Sequence, residues 1–165
     1  MPDLATGFFQ EDGAGRGLGP ADCVLRHVSR LSRAVVAAYD PALAPFDLTG
    51  HQFNLMMTLN EKGALSVGAL ANALGMDASG VPRAIRPLLD KGLVATAQGD
   101  DRRRRMLSIT DAGRTRLSET TPAWRSVQSE LVEAIGHERW TQLQADLRIV
   151  RAAATNCSTR KAAGA

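Results

Sequence analysis

Arginine is the residue whose arrangement in this chain most suggests chemistry. Arg83 and Arg86 stand three residues apart, and Arg102, Arg103, Arg104 and Arg105 run consecutively after Asp101. A guanidinium offers five N–H donors in a planar fork and carries a permanent charge, so clustered arginines suit phosphate groups and other anions. Between Arg83 and Arg116 nine basic residues stand against four acidic ones, in a chain whose net charge is only +3. The first 22 residues run the other way, with Asp3, Glu11, Asp12 and Asp22 against Arg16. This local block fits a polyanion partner and equally a solvated basic face. Charge alone does not choose.

Few other residues are arranged for chemistry. The sequence has no Gly-rich phosphate loop, no nucleophile-elbow motif and no His-Glu-x-x-His, so nothing points to an enzyme. Cys23 and Cys157 are too few and too far apart for a disulfide framework. Cys23 and His27 have i, i+4 spacing, half of a metal site at most, and no further ligands accompany them, so no metal or cofactor is expected. No window approaches the ~18 apolar residues of a membrane span. Residues 1–19 lack a basic stretch leading into an apolar one, so the expectation is a cytoplasmic protein.

The elements that position these residues are legible from caps and spacing. Residues 1–20, with five glycines and two prolines, read as a mobile arm, and residues 154–165 as a mobile tail. The first helix starts near Asp22, carries Leu25, Val28, Leu31, Val35 and Tyr39 at helical spacing, and ends at Pro41 and Pro45. Thr49-Gly50-His51-Gln52 is a capping box, flanked by the staple pair Leu48 and Phe53, and opens a second helix that stops at Gly63. Ser66 caps a third helix that ends at Gly75. Asp77 then caps a fourth, running to Lys91 and Gly92. Two short helices joined by a Gly-containing turn, the second one basic, form a helix-turn-helix pattern.

A hairpin follows at once. Residues 93–97 read as a strand, 100–105 as a charged loop, and 106–109 as a second strand. Thr110 caps a long helix to Ile135, with Leu117, Trp124, Val127 and Leu131 inward. A last helix after Gly136 carries Trp140, Leu143, Leu147 and Val150. The fold expected is mostly α with a small β-hairpin wing (α+β): a winged helix-turn-helix at about 48–110 within one domain, 21–153. Helices at about 22–40 and 111–153 carry apolar stripes that a small core cannot cover, so either they fold back on that core or they form a twofold dimer; the dimer is the reading adopted.

At this point the chain resembles the multiple antibiotic resistance regulator (MarR) family of bacterial winged-helix repressors, over about Cys23 to Val150. The resemblance rests on Leu70-Ala71-Asn72-Ala73-Leu74-Gly75-Met76, on Arg83, and on Leu89-Asp90-Lys91-Gly92-Leu93-Val94. It continues through Asp101-Arg102-Arg103 and Ile109-Thr110-Asp111-Ala112-Gly113, with Tyr39-Asp40 and Pro122-Ala123-Trp124 resembling a subgroup. It implies a homodimer whose fourth helices enter successive major grooves of a pseudo-palindromic operator while the wings touch minor grooves. Arg103 matches the minor-groove arginine and Asp101 its orienting carboxylate. A narrow groove concentrates negative potential, which suits a guanidinium held in place. Arg83 and Arg86 become candidates for guanine or phosphate contact, or else solvated helix charges. Ser79 suits phosphate through its hydroxyl and free N–H groups. Arg102, Arg104 and Arg105 are further candidates for DNA contact on the wing, with solvated charge the alternative for Arg104 and Arg105. Gly80, Pro82 and Pro87 depart from the family pattern; Pro82 could touch a thymine methyl, and Pro87 should kink the helix. This leaves the operator sequence open.

The resemblance also implies a trigger. Members release DNA when a small aromatic or phenolic acid binds, and Arg26, Arg30, His51 and Trp124 would suit an anion with a flat ring. The alternative for them is surface arginines and a core indole. The rival trigger is oxidation at Cys23, where a helix N-terminus and the nearby Arg26 and His27 favour thiolate chemistry, with Cys157 as a resolving thiol; two inert thiols are the plain alternative. From another class comes a helical protein–protein adaptor using the Trp140 stripe, which gives the arginine-rich wing no purpose.

Overall fold

The structure, a computed structural model, describes residues 19–98 and 105–163. The chain forms two compact units, one through Leu117 and one from Ser118. In the first, a short 3-10 turn at Pro20–Asp22 leads into α1 (Val24–Leu43). Then follow α2 (Gly50–Lys62), β1 (Leu65–Ser66), α3 (Val67–Leu74), α4 (Val81–Asp90), β2 (Val94–Gln98), β3 (Arg105–Ile109) and the start of α5 (Asp111–Ile135). The second unit holds the rest of α5 and α6 (His137–Ala163).

Local chemistry accounts for most boundaries. The Thr49 hydroxyl accepts from Gln52 N–H at 3.3 Å while Gln52 Oε1 accepts from Thr49 N–H at 3.0 Å, closing the expected box. Asp40 adds a third bond at this end, accepting from Gly50 N–H at 2.7 Å. Leu48 and Phe53, the staple pair, are both buried. Ser66 caps α3 by accepting from Ala69 N–H at 3.2 Å. The turn after α3 needs a left-handed residue, and Gly75 supplies it at φ 66° while Met76 N–H returns to Ala71 O at 3.0 Å. That geometry favours glycine because a Cβ would crowd its own backbone.

Four boundaries differ from expectation. The first helix does not stop at Pro41 but runs two residues past it, and Pro45 lies in a following 3-10 turn, Ala44–Phe46. A proline in the last turn removes one N–H and leaves the rest of the helix intact. Asp77 caps a 3-10 turn, Ala78–Gly80, and α4 begins only at Val81. The wing is part of a three-stranded antiparallel sheet ordered β1-β3-β2, because Leu65 and Ser66 pair with Leu107 and Met106. The segment from Ala154, expected as a tail, continues α6 as helix to Ala163. The expected arm lies outside the described residues except at its end, Gly19 and Pro20.

In the first unit α2 packs against α1, α3, α4 and β3. Leu43, Met56, Leu59, Leu70, Val81 and Leu88 are fully buried there, and Phe53 is the one aromatic among the described buried hydrophobics. This core sets the orientation of α4: Val81, Ile85 and Leu88 point in, which turns Pro82, Arg83, Arg86 and Asp90 out. The hairpin is fixed at its base. Thr110 N–H donates to Leu93 O at 3.1 Å, its hydroxyl donates to Gly92 O at 2.8 Å, and that hydroxyl oxygen accepts from Gly113 N–H at 3.0 Å. A Cβ at Gly113 would overlap the Leu93 carbonyl oxygen and press on Ile109 Cγ1, so the α5 start lies against the β2 strand's entry as only glycine allows. No described helix is long and apolar enough to cross a membrane.

Candidate nucleic-acid interface

Two elements of the first unit present the arginines: the outer face of α4 and the β2–β3 hairpin. Arg83, on the first turn of α4, is exposed and has no hydrogen-bond or ion-pair partner among the described residues. Arg86, one turn on, is exposed but engaged. Its Nε–H faces Asp90 Oδ1 at 2.9 Å and Oδ2 at 3.1 Å. Pro82 is exposed beside Arg83, in the first turn where its missing N–H costs nothing. Pro87 lies inside α4, where it does remove one helical bond.

Ser79 departs from its expected role in one respect. It sits in the 3-10 turn before α4, and both its N–H (3.1 Å) and its hydroxyl (3.0 Å) donate to Asp77 Oδ1. Its N–H is therefore not free for a phosphate. The two bonds hold the Asp77 carboxyl below the usual carboxylate range.

On the hairpin, β2 and β3 pair from Val94 with Ile109 out to Gln98 with Arg105. Arg105 is exposed at the distal end of β3. Asp101, Arg102, Arg103 and Arg104 fall between the strands in sequence and lie outside the described residues.

Three members of the basic block work within the fold instead. Lys91 Nζ meets Asp47 Oδ2 at 2.8 Å and donates to Asp47 O at 2.6 Å. The lysine lowers the Asp47 pKa, by hydrogen bond first and charge second. Arg116 Nη1 donates to Phe46 O at 2.6 Å, so the turn after α1 is held from two directions. Arg114 bonds Asp111 Oδ1 at 2.6 Å and Ile109 O at 3.2 Å. Sequence reasoning missed the Asp90 and Asp47 partners. The i, i+4 spacing of Arg86 and Asp90 was a usable signal; nothing local marked Asp47.

The other candidates are placed as follows. Arg26 and Arg30 are exposed one turn apart on α1, and His51 is exposed in the first turn of α2. Trp124 is half-buried on α5 in the second unit. Cys23 is exposed at the N-cap of α1. His27, expected to support its thiol, has Nε2 at 2.6 Å from Ala21 O. Cys157 is exposed on α6, where Arg160 Nη2 lies 3.8 Å from its Sγ. Among the described residues no group of three or more His, Cys, Asp or Glu could hold a metal.

A model of the MarR family matches residues 46–104, from the turn before α2 to the residue before β3. The transcriptional regulator MosR of M. tuberculosis, solved in complex with DNA, is 29% identical, with a TM-score of 0.76 over 82% of this chain and 98% of that one. BpsR of Bordetella bronchiseptica, whose DNA binding is regulated by 6-hydroxynicotinic acid, has a TM-score of 0.70 at 22% identity, over 80% of this chain and 95% of its own. An uncharacterized HTH-type transcriptional regulator of Bacillus subtilis, YwoH, is 22% identical over 66% of this chain and 80% of its own. A helix-turn-helix with a basic outer face, a hairpin clamped to the next helix, and the match to these regulators agree: the chain carries a segment that matches the MarR family and is similar in fold to winged helix-turn-helix, DNA-binding transcriptional regulators of that family.

Proposed function

We propose that this chain is a homodimeric repressor that binds a pseudo-palindromic operator and releases it on binding a small aromatic or phenolic acid. The observation that carries the reading is the two-sided character of α4. Val81, Ile85 and Leu88 are sealed in the core, which presents Arg83, Arg86 and Pro82 outward on a rigid element beside the arginine-bearing hairpin. In this reading α4 enters the major groove, and Asp101, Arg102, Arg103, Arg104 and Arg105 serve the minor groove and its phosphates. Ser79 contributes, at most, oxygen lone pairs or a hydroxyl released from Asp77.

Dimerisation is supported by what α1 leaves uncovered. Val24, Leu25, Val28, Leu31 and Val35 are exposed on it, Leu25 by 75%. In the second unit Leu147, Ile149 and Val150 are exposed as well. A wholly exposed side chain of this kind gains about 1.5–3 kcal/mol on full burial, each of these gains its exposed share of that, and a second copy offers the same stripe.

The ligand reading is supported by Arg26, Arg30 and His51, exposed donors suited to an acid group. The hydroxylated aromatic acid named for BpsR is the chemical type to try first. Exposure of Cys23 at the α1 N-cap supports a second reading, release by oxidation.

The test is binding to a labelled fragment of the gene's own upstream DNA, with excess random competitor, across a salt series. Sequence preference that falls steeply with salt is expected. Arg103→Ala should weaken binding; unchanged affinity for both operator and random DNA would remove the wing from the interface.

A further inference from the structure

The outer face of α4 carries two arginines in different states. Arg83 has no partner among the described residues, whereas Arg86 donates its Nε–H to both oxygens of Asp90. Both bonds use one N–H, so the four N–H groups on the terminal nitrogens stay available. Asp90 ends α4, one turn beyond Arg86, and so draws the guanidinium toward the C-terminal end of the helix. Recognition helices reach base edges with their N-terminal residues, and residues further along meet the backbone. An unpaired carboxylate on this face would repel the phosphates; paired, it is neutralised and gives the guanidinium a direction.

We propose that Asp90 is a positioning residue for DNA binding: it holds Arg86 for a backbone phosphate and leaves Arg83 to read base edges. The proposal rests on α4 being the DNA-contacting helix. The pair's side chains are 75% and 60% exposed, so it contributes little to stability and its variants should fold normally.

The experiment uses the full chain, a random-sequence duplex, and a duplex selected by the wild-type protein from a randomised pool. Arg86→Ala should weaken both duplexes alike and flatten the slope of log affinity against log salt by about 0.9 for each phosphate it no longer neutralises. Arg83→Ala should instead reduce the selected-over-random ratio, by on the order of tenfold for each base it reads. Asp90→Asn is compared with and without Arg86. In the Arg86→Ala background, removing the carboxylate should strengthen binding by relieving repulsion. With Arg86 present that gain should vanish or reverse, because the guanidinium loses its direction, and Asp90→Glu should behave as wild type.

An equal gain from Asp90→Asn in both backgrounds would overturn the positioning role. An unchanged salt slope in Arg86→Ala, with wild-type binding intact, would overturn the phosphate assignment. Wild-type protein that selects no duplex from the pool and leaves the random duplex unbound at low salt would overturn the DNA reading of α4, and this proposal with it. Melting temperatures by circular dichroism separate each result from unfolding.

Discussion

Replacing Gly113 by alanine tests how closely the wing is joined to α5. Helix propensity alone favours the change, by about 1 kcal/mol. Tertiary geometry opposes it, because the new Cβ would overlap the Leu93 carbonyl oxygen and lie 2.7 Å from Ile109 Cγ1. The carbonyl cannot easily move, since it accepts Thr110 N–H at 3.1 Å in a junction also tied through Gly92. Overpacking of a tight site costs about 1–3 kcal/mol, and a backbone obstacle belongs at the upper end. The net is a loss of about 2 kcal/mol, since the two effects act at one residue with opposite sign. For a chain of this length that lowers the melting temperature by about 4–8 °C.

The assay is thermal and urea unfolding of Gly113→Ala beside Gly68→Ala. Gly68 lies exposed in α3, and a methyl group added to it would meet nothing within 4 Å, so the same chemical change should stabilise there, by about 0.4–1 kcal/mol. Opposite signs at the two glycines are the expected result. Gly113→Ala at or above wild-type stability would refute the close approach of α5 to the wing's base.

Three further outcomes follow from the same geometry. Asp47, with its pKa lowered by Lys91, should stabilise the fold fully above its ordinary value of 3.8 and lose that contribution as pH falls below it. The stability gap between wild type and Asp47→Asn should therefore be flat at neutral pH, shrink in acid and shrink with salt; a gap that widened in acid would contradict the pairing. Leu31→Glu places a charge in the exposed stripe of α1 and should shift the protein toward monomer in sedimentation or light scattering while weakening DNA binding; an unchanged dimer would move the interface elsewhere. Cys23→Ser should abolish release of DNA by hydroperoxide if that thiol is the trigger, and a variant still released would exclude it.

Much of the fold was readable because its signals are local. The Thr49–Gln52 box and the Ser66 cap are each complete within a few residues, so type and spacing specify the bond. The same holds for Gly75, whose left-handed turn follows from its own lack of a Cβ. Val81, Ile85 and Leu88, spaced four and three apart, share one buried face of α4 and so leave Arg83 and Arg86 outward.

The remaining features depend on groups distant in sequence. Lys91 and Arg116 counted toward the basic block of the sequence, yet they bond backbone carbonyls 44 and 70 residues away. A carbonyl exists at every residue, so no sequence pattern announces which one a cation will meet. β1 is two residues long and too short for any period; it exists because β3 has an edge beside it. Residue type and spacing were enough for most of the helices and for the caps that start them. Which cations stay outward follows from packing, since it depends on where unpaired carbonyls and carboxylates come to lie once the core has formed.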